Sequence, residues 1–202
     1  MRVESYDAQI TRRFAMFDFS ATMHDLIAHI GSTQPEFAYL RPEQVLVSFI
    51  QTRTPGVHGV YASCQPLRFK DGERVKKHKG RVYAMPQLVV DEHEIMYIIY
   101  FAMPRFMNLD FETKLTTVFH ELYHISPRFD GDIRRFKGKN YAHGHSRKVF
   151  NERVKVIADE YMTLPGASEH TEFLHRSFEE ICSKHGKIIG SKIRPPRPKL
   201  VG

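Results

Sequence analysis

The sequence predicts a protein of the α+β class, in which strands and helices occupy separate parts of the chain. Three observations carry this prediction. Residues 20–31 repeat apolar side chains at helical spacing, residues 45–102 hold several short runs rich in β-branched and aromatic residues, and helical spacing returns after residue 110. Segregation of this kind is typical of helices that pack against a sheet without alternating with its strands.

The first half of the chain has local signals for each element. Ser20 or Thr22 can cap the first helix, and Gly31 can end it. The predicted strands are residues 45–52, 59–69, 81–90 and 95–102, with a turn at 54–56 and a polar, basic loop at 70–80. The last of these strands is almost wholly apolar, so we expect it to be buried.

Three helices are predicted in the second half. They cover residues 110–125 with Asp110 as the cap, residues 146–162, and a last helix that Ser168 caps and Gly186 ends. We assign residues 1–186 to a single domain. Residues 187–202 are basic and contain three prolines, so we expect them to form an extended, disordered tail.

The clearest functional signal is the HExxH motif, His-Glu-Leu-Tyr-His, at residues 120–124. His120 and His124 lie four residues apart and therefore project from one face of a helix, roughly opposite its apolar arc. This spacing suits two ligands of a tetrahedral Zn²⁺, and Glu121 can reach a water on the same metal. Chance would produce the motif about once in twenty such chains, so the helical register is needed to support it.

A catalytic zinc ion needs a third protein ligand, with the fourth position left to water. Two histidines, His143 and His145, come just before the second of these helices. We favour His145, which follows His124 by 21 residues and stands at the mouth of that helix. His143 and a carboxylate, Glu152 or Glu160, remain alternatives. Tyr123, Tyr141 and Arg147 are candidates for stabilising a developing oxyanion.

The net charge of +7 is concentrated in two segments. One is the basic loop with Lys76, Lys77, Lys79 and Arg81, and the other is the tail with Lys187, Lys192, Arg194, Arg197 and Lys199. Such blocks either bind nucleic acid or act as solvated charge. No aromatic residue is interleaved with the basic loop, so the sequence predicts no platform for base stacking and only a weak association with nucleic acid.

The sequence has no pattern that predicts a secretory signal or a membrane span. The first thirteen residues have no apolar core, and no stretch is apolar for 18 residues. We therefore expect a soluble, cytoplasmic protein without a membrane partner. The two cysteines, Cys64 and Cys182, have no spacing typical of a zinc ribbon.

The segment HELYHI, followed about twenty residues later by GHSRKVF, resembles the small gluzincin-type metallopeptidases. The pattern is similar to phage and bacterial metallopeptidases and to the SprT/Spartan-like family, and it covers residues 115–154. The resemblance implies a small, mostly antiparallel sheet with an N-terminal helix and a two-helix zinc site. It also implies one Zn²⁺ and a protein or peptide substrate. The cysteine-rich zinc ribbon of many SprT-like proteins is missing here.

The predicted function is hydrolysis of peptide bonds. Zn²⁺ on His120, His124 and His145 would activate a water, and Glu121 would act as its general base. We expect strand 95–102 beside the metal helix, where a sheet edge would pair with an extended peptide. Two alternatives stay open: a DNA-associated SprT-like protease or nucleic-acid-binding protein with a metal site, and a non-catalytic regulatory protein on a peptidase fold.

Overall fold

The computed structural model describes residues 16–52, 59–136, 141–144 and 146–202, and it has the predicted α+β architecture. In chain order its elements are β1 (Phe17–Asp18), α1 (Phe19–Thr33), β2 (Val45–Gln51), β3 (Ala62–Pro66), β4 (Val75–His78), β5 (Arg81–Ala84), β6 (Val89–Val90), β7 (His93–Glu94), β8 (Tyr97–Met103), α2 (Phe111–Tyr123), α3 (Arg147–Tyr161), α4 (Ala167–Thr171), α5 (Phe178–His185), β9 (Ile188–Ile189) and β10 (Lys199–Leu200). Among the helices so described, none has the length and hydropathy to cross a membrane.

The central sheet has the strand order β2-β8-β3. Strand β8 pairs in parallel with β2 and antiparallel with β3, and every one of its residues is buried. Strands β10, β5 and β4 form a second antiparallel sheet, β6 and β7 form a hairpin, and β1 pairs in parallel with β9. Strand 95–102 would have paired with a peptide only as a sheet edge, and that possibility is excluded because β8 is hydrogen-bonded to a strand on each side. The two edge strands of this sheet are β2 and β3.

The main core lies between one face of this sheet and the helices. Helix α1 contributes Phe19, Met23, Leu26, Ile27 and Ile30, each fully buried. Alternate residues of β8, including Tyr97, Ile99 and Phe101, face the same core. The predicted cap of α1 is wrong: the side chain of Asp18 accepts a hydrogen bond from Ala21 N and begins the helix.

The opposite face of the sheet is covered by the C-terminal segment. Ile98 and Tyr100 of β8 form a smaller apolar cluster, against which Ile193 packs. The Ser48 hydroxyl donates to the carbonyl of Ser191 and accepts from the backbone N–H of Ile193. Residues 187–202, expected from the sequence to be a tail, thus cross the sheet and contribute β9 and β10.

The two helices around the HExxH motif have nearly the bounds that the sequence predicts. Asp110 and Ser146 cap α2 and α3 by accepting hydrogen bonds from Thr113 N and Val149 N. The last predicted helix differs. It is divided into α4 and α5, since Ser177, not Ser168, forms a capping box with Glu180. The predicted loop at 70–80 contains β4, because its residues pair with β5.

Candidate metal centre

Helix α2 carries the motif with one side in the core and the other toward α3. Leu115, Val118, Phe119 and Leu122 are buried, each with at most 4% of its surface exposed. His120 and His124 are half-buried, and His124 caps the C-terminal end of the helix. The apolar stripe and the histidine pair therefore lie on different sides of the helix, as the sequence predicts.

A third histidine, His143, meets this pair. The Nε2 atoms of His120 and His124 are 3.2 Å apart, and the Nε2 atoms of His120 and His143 are 3.4 Å apart. One ligand atom from each histidine lies within 4.8 Å of the others, the only such group of three or more metal-ligating side chains among the described residues. Tetrahedral zinc–nitrogen bonds of about 2.0–2.1 Å require nitrogen separations of about 3.3 Å, so the donor set fits a zinc ion.

Phe150 of α3 forms the wall behind the histidines. Its ring centroid lies 4.9 Å from that of His120, 5.3 Å from that of His124 and 4.9 Å from that of His143. The side chain is 4% exposed. An apolar ring against all three imidazoles removes water from one side of the cluster and limits the rotation of each ligand.

Burial keeps the histidines neutral at physiological pH. It lowers the pKa of His120 to about 4, helped by the nearby His143 and Arg147, and it lowers the pKa of His124 to about 3, helped by His120 and His143. The pKa of His143 is lowered as well, first by burial and then by Arg147. A metal ion binds the neutral imidazole, so these side chains are in the form that a ligand needs.

Glu121 lies on the sheet side of the cluster. Only 7% of the residue is exposed, and burial raises the pKa of its carboxyl to about 7. The backbone N–H of Cys64, in the edge strand β3, donates a 2.7 Å hydrogen bond to Glu121 Oε2 and partly offsets that shift. A carboxyl with a pKa near 7 can both take and return a proton at neutral pH.

A cleft of about 610 Å³ opens beside these residues. Its lining comes from the chain before and at the start of β3, from α2 and from α3: Gly59, Val60, Tyr61, Ala62, Glu112, Thr113, Thr116, Thr117, His120, Glu121, Arg147, Asn151 and Lys155. Of the three residues considered for oxyanion stabilisation, Arg147 lines this cleft. Tyr123 instead packs under the Arg134 guanidinium, 3.9 Å from its ring, and Tyr141 packs under Arg135.

The structure brings together three of the histidines that the sequence singled out, but it does not test the preferred third ligand. His145 lies outside the described residues. The two carboxylate alternatives, Glu152 and Glu160, are exposed, and neither belongs to the histidine cluster. The roles of Phe150 as a wall and of Cys64 N–H as a donor to Glu121 have no local sequence signal, because both contacts join segments that are distant along the chain.

Three histidines, two on the HExxH helix and one beside it, form a donor set that could hold a metal ion within this α+β domain. A sequence model of the family described as Putative phage metallopeptidase matches residues 17–185. The chain therefore belongs to that family, and the match runs from β1 to the end of α5. No curated protein and no solved structure matches the chain.

Proposed function

We propose that the protein is a zinc-dependent peptidase in which Glu121 is the general base. The observation that carries this proposal is the cluster of three histidines, one of which, His120, lines the same cleft as Glu121. Membership of the phage metallopeptidase family supports the reaction class. The chemistry of the donors supports zinc, since neutral imidazoles at tetrahedral spacing are typical ligands of catalytic zinc sites.

His120, His124 and His143 are the ligands in this proposal. The sequence favoured His145, but the separation of 3.4 Å between His143 Nε2 and His120 Nε2 supports His143. Three protein ligands leave one position of a tetrahedral ion open. When bound, zinc polarises a carbonyl and lowers the pKa of a water molecule toward 7.

Glu121 takes the proton of the attacking water and gives it to the leaving amine. The Cys64 N–H holds Oε2, so we assign the proton transfer to Oε1. Burial raises the pKa of this carboxyl to about 7, so it can take up and release a proton near neutral pH. Arg147 is the cleft cation that we assign to the developing negative charge on the carbonyl oxygen.

The substrate in this proposal is an extended peptide segment. Strand β8 is central, so it does not offer the free sheet edge on which peptide pairing at residues 95–102 depended. Strand β3 stands at the edge, and Ala62 at its start lines the cleft. We therefore assign peptide pairing to the outer edge of β3.

The test is the comparison of wild type with Glu121→Gln, using zinc analysis and hydrolysis of casein and a fluorogenic peptide library. We expect about one zinc per chain in both proteins and at least a hundredfold lower kcat/KM in the variant. Glu160→Gln, an exposed change on α3, serves as the matched control and should retain wild-type activity.

Equal activity of wild type and Glu121→Gln would refute the role of Glu121. Wild-type protein that binds no zinc would refute the metal assignment. Full zinc content without hydrolysis of any substrate would favour the non-catalytic regulatory alternative.

A further inference from the structure

The fold joins the two basic segments of the chain in one sheet. Strand β10 lies in the segment 187–202 and pairs antiparallel with β5, which in turn pairs with β4. The register places Leu200 opposite Tyr83, and Tyr83 opposite Lys76. Segments that are more than a hundred residues apart in sequence thus form a single three-stranded surface.

The two segments that supply this surface carry an unbalanced positive charge. Residues 74–90 and 187–202 contain ten lysines and arginines and no aspartate or glutamate, which exceeds the net +7 of the whole chain. Of these ten side chains, Arg74 is paired with Glu94, and within the described residues the other nine have no ion pair. Cationic side chains without an ion pair are available to bind a polyanion.

One face of the sheet combines these cations with aromatic rings. Directly paired residues of antiparallel strands share a face, so Lys76 and Tyr83 lie side by side, as do His78 and Arg81. A groove of about 430 Å³ opens on this face, lined by Phe69, Lys76, His78, Tyr83, Arg197 and Pro198. The sequence predicted no platform for base stacking because no aromatic residue is interleaved with the basic loop, yet in the fold two aromatic side chains line the same groove as Lys76. Phe69 and Tyr83 flank the basic loop in sequence; strand pairing places Tyr83 beside Lys76, and Phe69 lines the same groove.

We propose that this groove binds single-stranded nucleic acid. Unstacked bases would lie on the half-buried rings of Tyr83 and Phe69, and the exposed side chains of Lys76 and Arg197 would contact phosphates. Aromatic rings that lie in a groove between cations can stack with a base that is not already stacked on neighbouring bases. In a duplex the bases are stacked and paired, so their faces are not offered to such rings.

The opposite face of the same sheet supplies a matched control. Side chains alternate along a strand, so Lys77 and Lys199 point away from the face of Lys76 and Tyr83. Both lysines are exposed. The pair Lys76→Gln/Arg197→Gln and the pair Lys77→Gln/Lys199→Gln therefore remove the same charge from the two faces.

The experiment measures binding of a fluorescent 20-nucleotide oligothymidylate by polarisation across a salt series, with the full chain carrying Glu121→Gln. We expect Lys76→Gln/Arg197→Gln to weaken binding at least tenfold and to reduce the salt slope by about 1.4, which corresponds to two lost phosphate contacts. The control pair should weaken binding less than threefold. Tyr83→Leu keeps the charge and should weaken binding on the order of tenfold.

Absence of binding at low salt would overturn the proposal. Equal losses in the two charge pairs would show a diffuse charge effect with no role for the groove, and tighter binding of a duplex of equal length would show a different ligand. The charge pairs alter exposed side chains, so they test the groove even if Tyr83→Leu does not fold. The proposal is independent of peptidase activity because the protein used carries Glu121→Gln.

Discussion

The ring of Phe150 ties the three histidines to the core of the protein. It contacts each imidazole and also the ring of Tyr123, which is buried on α2. A ligand that is held by packing loses little conformational freedom when an ion binds, so the site is organised in advance. Its position also explains the low pKa values of the histidines, since an apolar ring replaces water around them.

Single substitutions of the two candidate histidines can identify the third ligand. We expect His143→Ala to lower zinc affinity at least a hundredfold, because the remaining pair offers only two protein ligands. His145→Ala, two positions away, should change zinc affinity less than threefold. Competition with a fluorescent chelator measures both. The reverse ranking would assign the ligand to His145.

The lowered pKa values predict how zinc binding depends on pH. Three histidines with the usual pKa of 6.5 would each lose about eightfold in neutral imidazole between pH 7 and pH 5.5, and the affinity would fall several hundredfold. With pKa values of about 4 for His120 and about 3 for His124, protons compete only at lower pH. We therefore expect less than a tenfold loss over this range and a steep loss near pH 4. A chelator titration at each pH would detect a fall of a hundredfold or more, which would contradict the lowered values.

Part of the site could be predicted from local sequence, and part could not. His120, Glu121 and His124 follow from one helical turn, whose geometry is fixed by the backbone. His143 and His145 stand two residues apart around Gly144, and residue spacing does not determine which one turns toward the helix. The hydrogen bond from Cys64 N–H to Glu121 joins a strand to a helix 57 residues later, so no local pattern indicates it.

At the scale of elements, the metal helix is anchored by a buried lysine. Lys114 is 2% exposed, and its Nζ atom donates hydrogen bonds to the carbonyl oxygens of Leu174 and Arg176. These bonds fasten α2 to the segment that links α4 and α5. The burial of this ammonium group lowers its pKa, and the two carbonyls compensate for part of the lost hydration.

Replacing this lysine should loosen the helix. We expect Lys114→Met to reduce the free energy of unfolding by about 2–4 kcal/mol, because two buried carbonyls lose their donor. Lys155→Met, on the exposed side of α3, removes a surface pair with Asp159 and should cost less than about 0.5 kcal/mol. Urea denaturation measures both values. A similar small cost for the two variants would show that Lys114 does not anchor the helix.

The elements differ in how far sequence predicts them. Caps and helical periodicity locate α2 and α3, because Asp110 and Ser146 act on residues only three positions away. Strand β4 is polar and exposed, so it has no apolar alternation, and only its pairing with β5 makes it a strand. The apolar run of β8 indicates burial, but its neighbours in the sheet are set by contacts across the chain.

On the scale of the whole molecule, the segment after α5 closes the fold. Ser191 N–H donates to the hydroxyl of Ser20, and the side-chain amide of Gln65 donates to the carbonyl of Pro196. The segment therefore runs from helix α1 across the sheet to its edge strand before it pairs with β5. The family match ends at residue 185, and these contacts join residues beyond that point to the matched domain.

A substitution of Ile193 tests whether the segment after α5 stabilises the sheet that it covers. It covers the cluster around Ile98 and Tyr100, so Ile193→Ala should reduce the free energy of unfolding by about 1–2 kcal/mol. Val201→Ala, at a site that is 59% exposed, should change it by less than about 0.5 kcal/mol. Thermal or urea unfolding distinguishes the two. An effect of Ile193→Ala no larger than that of Val201→Ala would mean that the segment does not protect the sheet.

Anomalous diffraction at the zinc edge, from crystals of the zinc-loaded protein, would test the metal assignment by locating the ion. We expect one strong peak about 2.0–2.1 Å from the Nε2 atoms of His120, His124 and His143, beside the carboxylate of Glu121. A peak bound by other side chains, or no peak at the HExxH helix after loading with zinc, would contradict it.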